Sequence, residues 1–144
     1  MELLLSIGHF ARVHRRFDEA RYLFERMALL YPQRAFSYLG LGLVEIDRLN
    51  YRGASRWFGR ALEAEPDSAL ALVWLGASQV LEGHYARGVR TLTTAATSDV
   101  PGASSMAAAF LQLPECAPYA GRVHAARVAA SLSTIERLTI RGGY

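Results

Sequence analysis

The chain has 144 residues, 51% hydrophobic and 20% charged, the balance of a single globular domain long enough to bury a core. Sixteen basic residues, all of them Arg, against thirteen acidic ones give a net charge of +3, too even to demand a nucleic-acid partner. The single cysteine, Cys116, excludes an intrachain disulfide framework and any zinc site built on several Cys.

The first segment, MELLLSIGHF, has Glu2 where a signal peptide carries positive charge, and Gly8 and His9 interrupt its apolar run. No stretch approaches the roughly 18 apolar residues of a membrane-spanning helix. The expectation is a cytoplasmic protein without membrane insertion.

From Met1 onward the chain repeats itself with a period of 34. Position 7 is Ile7, Leu41 and Leu75, and position 8 is Gly8, Gly42 and Gly76. Position 17 is Phe17, Tyr51 and Tyr85, and position 20 is Ala20, Ala54 and Gly88. Position 24 is Phe24, Phe58 and Leu92, and position 27 is Met27, Ala61 and Ala95. Position 32 is Pro32 and Pro66, with Pro101 one place late in the third copy. Small residues at 8 and 20 let two helices cross closely, and large apolar residues at 7, 17 and 24 fill the space around the crossing. Proline closes the second helix before the next begins. Each unit is therefore a helix pair, at 1–34, 35–68 and 69–101. A single pair cannot cover its own apolar faces, so the copies stack. Gly40 and Gly42 form a Gly-x-Gly, but inside a helix, where the repeat accounts for Gly42.

After Pro101 the register fades. Gly102–Leu113 reads as a short helix where a fourth first helix would stand, with Ser104 or Ser105 as candidate N-caps. Pro114–Pro118 is a break. Tyr119–Ile140 reads as a long final helix, with Val123, Val128, Leu132, Ile135 and Leu138 at helical spacings. Residues 102–144 thus form the atypical end unit that covers the last apolar face, and Arg141–Tyr144 frays. At the other end, either a partner or second subunit covers the first repeat, or Glu2, His9 and Arg12 are polar enough to leave it wet.

The small and apolar residues at these registers resemble those of the tetratricopeptide repeat family. The segments FDEA (Phe17–Ala20) and EGHY (Glu82–Tyr85) are similar to its turn into the second helix. Position 4 is Leu4, Tyr38 and Leu72, where that family often has Trp. The resemblance implies an all-α fold, three tandem helix pairs in a right-handed superhelix with a C-terminal helical cap. It also implies a concave surface lined from positions 2, 5, 9, 12 and 13 of each first helix. These are Glu2, Leu5, His9, Arg12 and Val13; then Phe36, Leu39, Leu43, Ile46 and Asp47; then Leu70, Val73, Ala77, Val80 and Leu81. Members that clamp a C-terminal carboxylate supply Lys, Asn and Arg there. Here the second and third repeats supply almost only apolar side chains, which argues against such a clamp.

An apolar inner surface needs a cover. One candidate is a hydrophobic or amphipathic segment of a protein partner in a helix-in-groove mode. The other is the chain's own final helix, about 33 Å long at 1.5 Å per residue. In the second case the protein is a scaffold that binds through another face. Arg12, Arg16, Arg48 and Arg52 near the turns are either a basic rim that steers an acidic partner or solvated surface charge. In layout, the first repeat is similar to that of small bacterial chaperones of type III secretion systems, which bind secreted components and keep them soluble. The translocator-binding branch has a helical extension before its first repeat, and this sequence opens on the repeat.

Nothing in the sequence composes a catalytic constellation. His9 and His14 are five apart and do not share a helix face. HExxH, GxGxxG and GxxxxGK[ST] are absent. Cys116 with His124 is the one conceivable nucleophile–base pair, against the simpler reading of Cys116 as a small semi-buried residue. The expectation is a non-enzymatic interaction module with no cofactor or metal. A homodimer is a further possibility.

Overall fold

The computed structural model describes residues 1–121 and residue 129. Helices run in the order α1 (Glu2–Val13), α2 (Phe17–Leu30), α3 (Ala35–Asp47), α4 (Tyr51–Ala64), α5 (Ala69–Leu81), α6 (Tyr85–Ala95) and α7 (Ala103–Leu111). No strand occurs among the described residues, and the fold is all-α. Residues 117–121 are helical. The remainder of the expected final helix, His124 and Arg141–Tyr144 lie outside the described residues.

The 34-residue period is visible atom by atom. Gly8 lies so close to the Phe24 ring that an added Cβ would sit 2.7 Å from it, and Gly76 meets Leu92 at the same distance. Gly42 lies equally tight on Phe58. Position 8 is therefore small because position 24 is large. Gly40, which the repeat leaves unexplained, presses on the same Phe24 ring. Phe24 and Phe58 are fully buried, each removing an aromatic side chain from water for about 1.5–3 kcal/mol.

The turn inside each pair also recurs. The amide of Arg16 donates to the Ala11 carbonyl, Asn50 to Glu45 and His84 to Gln79, each at 2.8 Å. The residue before each donor, Arg15, Leu49 or Gly83, has positive φ (60°, 61° and 92°). This is the left-handed helix stop in which the amide two places past the last turn reaches back to a free carbonyl. Between pairs, Glu65 at the end of α4 accepts from the Ala35 amide at 2.6 Å and so caps the start of α3. Asn50 caps α4 and Ser68 caps α5 through their side chains. The cap of α7 differs from expectation. Gly102, with φ of 85°, holds that position, and Ser104 and Ser105 lie within the helix.

The helices form two layers. The first helices touch one another in succession, α1 on α3, α3 on α5 and α5 on α7. Each second helix touches the first helix of its own pair and of the next, and the second helices stand further from one another. A stack whose first helices sit closer together than its second helices is curved, with α1, α3, α5 and α7 on the inside. The inner helices carry a single Arg, Arg12, whereas α4 and α6 carry five Arg against one carboxylate, Glu63.

Candidate functional site

The inner layer is where the sequence pattern concentrates candidate residues. α3 is buried along most of its surface. Ala35, Ser37, Tyr38, Gly40, Leu41, Gly42, Val44 and Glu45 are all inside. What remains half-buried is one stripe: Phe36, Leu39, Leu43, Ile46 and Asp47. Wedged among α1, α2, α4 and α5, the helix has one direction that no other described helix fills, and these residues occupy it. Four of the five are large and apolar.

Leu5 and His9 of α1 flank this stripe, both half-buried. His9 packs on the Phe24 ring, centroids 5.2 Å apart. Burial, together with the nearby Arg12 guanidinium, holds its imidazole below the ordinary pKa. Arg12 and Asp47 come together at 2.8 Å, joining position 12 of one repeat to position 13 of the next. Their charges cancel at one end of the stripe, which keeps the surface between them apolar in character. On the far side, Leu70 and Leu81 at the two ends of α5 are exposed.

The third repeat departs from expectation. Val73 and Ala77 are fully buried and Val80 is 5% exposed. Val73 and Val80 form one core cluster with Leu92, Ala103, Ala107 and Cys116. α7 lies on α5 and α6, and its small residues Ala103 and Ala107 allow close approach. These three positions therefore belong to the core and line no accessible surface. The accessible inner surface is centred on α3.

The sequence leaves two further points open. Of the two readings of the arginines near the turns, surface charge fits better than a steering rim: Arg16 pairs with Glu19 at 2.6 Å, Arg48 with Glu45 at 3.6 Å and Arg12 with Asp47, and Arg16, Arg48 and Arg52 are exposed. Of the polar residues expected to wet the free side of α1, Glu2 is exposed, His9 is half-buried and Arg12 is drawn to Asp47. Leu3, Ile7 and Phe10, spaced along one side of the helix, are exposed. Among the described residues, that apolar row has no cover. Val13 is exposed as well, which removes it from the half-buried stripe.

Cys116 is fully buried, and burial with the adjacent Glu115 pushes its thiol pKa upward. A thiol so placed is held protonated and is a poor nucleophile. Its suggested partner His124 lies outside the described residues. Among the described residues, no group of three or more His, Cys, Asp or Glu is arranged to hold a metal ion. No described helix is long and apolar enough to cross a membrane.

Protein-family models give no match to this sequence, and neither do the curated proteins. Among solved structures, the chain is similar to the type III secretion translocator chaperone SycD of Yersinia enterocolitica. The two superpose with a TM-score of 0.58 at 16% identity, over 92% of this chain and 84% of the other. At that identity the likeness is one of fold.

Proposed function

We propose that this chain is a non-enzymatic protein-binding module whose inner face receives an apolar or amphipathic helical segment of a partner. The observation that carries the reading is the α3 stripe. Phe36, Leu39, Leu43 and Ile46 sit side by side, half-buried, in the one direction that neighbouring helices leave open. Such a stripe flanked by Leu5, His9 and Leu70 suits a helix laid in a groove, anchored by residues at helical spacing. One solved structure of similar fold is that of a type III secretion translocator chaperone. Carried to this chain, that suggests a cytoplasmic chaperone of a secretion system, which shields an aggregation-prone segment until export. The exposed row of α1 then awaits either the same partner or a second subunit.

The test is co-purification from native lysate of wild type and Leu43→Glu, with mass spectrometry of bound proteins and thermal melts of both. The expected result is a secreted or membrane-active partner held by wild type and lost from the variant, at a nearly unchanged melting temperature. A sharply lower melting temperature with no partner in either sample would instead mean that the chain's own C-terminal segment occupies the stripe.

A further inference from the structure

The outer face has a built feature of its own. Because the second helices diverge, α2 and α4 leave a cleft between them, floored by the end of α3. Two cavities, of about 460 and about 410 Å³, meet there and share Trp57 and Arg60 as walls. The cleft is chemically divided. One half is lined by Arg21, Arg48 and Arg56 with Glu45, the other by Leu29 and Pro32 with Glu25, whose carboxylate is taken up by Arg21. Leu29 is 74% exposed, among the most exposed large apolar side chains described.

Charge separates the arginines into two kinds. Arg21 is paired with Glu25 at 2.8 Å, and Arg48 with the buried Glu45. Arg56 and Arg60 have no carboxylate within ion-pair distance among the described residues. The Arg60 guanidinium lies over the rings of Tyr38 (5.2 Å) and Trp57 (5.9 Å), which orient it at the junction of the two halves. Arg52, Arg56 and Arg60 stand at successive i,i+4 positions, a row of about 12 Å along α4. Like charges at that spacing weaken a helix. Keeping them unneutralised beside an apolar slot is a cost that a carboxylate-bearing ligand would offset. A polyphosphate or nucleic acid fits less well. The cationic row is short, and the cleft continues into apolar surface.

We propose that the α2–α4 cleft is a second docking site, taking a segment of a protein partner in which acidic residues are followed or preceded by apolar ones. Its carboxylates engage Arg56 and Arg60, where planar guanidinium–carboxylate pairing is strong and directional. Its apolar residues pass Trp57 and lie on Leu29 and Pro32. The site is on the opposite layer from the α3 stripe and does not depend on it.

The experiment uses fluorescein-labelled synthetic peptides with a Glu/Asp half and a Leu/Phe half, in both orders, against the full chain by fluorescence anisotropy. Controls are the same peptides with Lys for Glu/Asp. Wild type should bind one order of the acidic–apolar peptide and neither Lys control, and affinity should fall as salt rises. Arg56→Glu with Arg60→Glu, and separately Leu29→Glu, should weaken binding by about tenfold or more. Arg87→Glu on α6 and Leu43→Glu on the inner face should change it by less than about twofold. Melting curves confirm folding, and Arg56→Gln with Arg60→Gln serves if the charge reversal unfolds the chain. The proposal is overturned if wild type binds neither order, if the Arg56/Arg60 variants bind as wild type does, or if Leu43→Glu is the variant that loses binding. Inorganic polyphosphate bound in place of the peptides, or a self-association abolished by the Arg56/Arg60 change, would assign the cleft to those occupants and equally overturn it.

Discussion

α3 and α5 occupy equivalent places in the stack and carry apolar residues at the same repeat positions, yet they present opposite surfaces. At positions 5, 9 and 12, α3 shows Leu39, Leu43 and Ile46 half-buried, whereas α5 hides Val73, Ala77 and Val80. The residues do not explain this by hydrophobicity. They differ in size and in the helix that stands next to them. The α5 set is smaller, and the next inner helix, α7, brings Ala103 and Ala107 against it. Among the described residues, α3 has no comparable cover. A position in a helical repeat is thus a direction, and whether that direction is surface or core depends on the neighbour that stands there.

The sharpest way to break the comparison is to place the same charge at both sites. Val73→Glu would bury a carboxylate with no partner in a fully closed cluster, and stability should drop by about 3–5 kcal/mol. Leu43→Glu can point its carboxylate to water, and the loss should stay within about 1 kcal/mol. Urea unfolding of the two variants measures both. Equal losses would mean that the α3 stripe is as covered as α5.

A smaller effect tests the turns that end these two helices. Leu49, after α3, is held at φ 61°, where Gly83, after α5, sits at 92°. A side chain in the left-handed region costs about 1–2 kcal/mol. Gly in its place costs about 0.5–1 kcal/mol of extra unfolded-state freedom. Leu49 is 72% exposed, so its removal loses little packing. The relief should win by about 0.5 kcal/mol, and Leu49→Gly should raise the melting temperature slightly. Gly83→Leu should lower it by a larger amount, since strain is added at a site chosen to avoid it.

How far these features could be read from the sequence depends on whether their partners share the repeat. The helix pairs and the Gly8–Phe24, Gly42–Phe58 and Gly76–Leu92 contacts were legible, because both members recur at fixed positions. Gly40 is not explained by the period, since its reason, contact with Phe24 of the preceding repeat, belongs to one repeat junction only. The left-handed turn position was hidden because Arg15 and Leu49 violate the residue preference that Gly83 obeys. Burial of Val73, Ala77 and Val80 was missed because their cover comes from beyond the periodic segment. The Arg12–Asp47 pair was missed because its members belong to different positions in different repeats. The outer cleft escaped for a related reason. Arg21, Arg56 and Arg60 come from two helices, and no single-helix pattern announces a cleft between them.

The smallest expected effect concerns the open half of the comparison. His9 is the imidazole beside the α3 stripe, and its folded pKa lies below the ordinary 6.5 because burial and Arg12 both disfavour the charged ring. The groups facing it set the sign. Phe24 offers an apolar contact, and Arg12 is already committed to Asp47. Below pH 6.5 the unfolded chain takes up a proton at this residue more readily than the folded chain does. Stability from this site is therefore fully present above the unfolded value, falls as pH drops through it, and levels off below the folded value. His9→Gln should remove that component and leave a flatter melting temperature between neutral and mildly acidic pH. α5 has Ala77 at the same repeat position and no titrating group there, so the component removed by His9→Gln belongs to the α3 side of the inner face. In the proposed protein-binding reading the consequence is directional. Protonation at His9 puts a second cation next to Arg12 on an apolar surface, so an apolar segment held on α3 should be released more readily in acid, and His9→Gln should blunt that release.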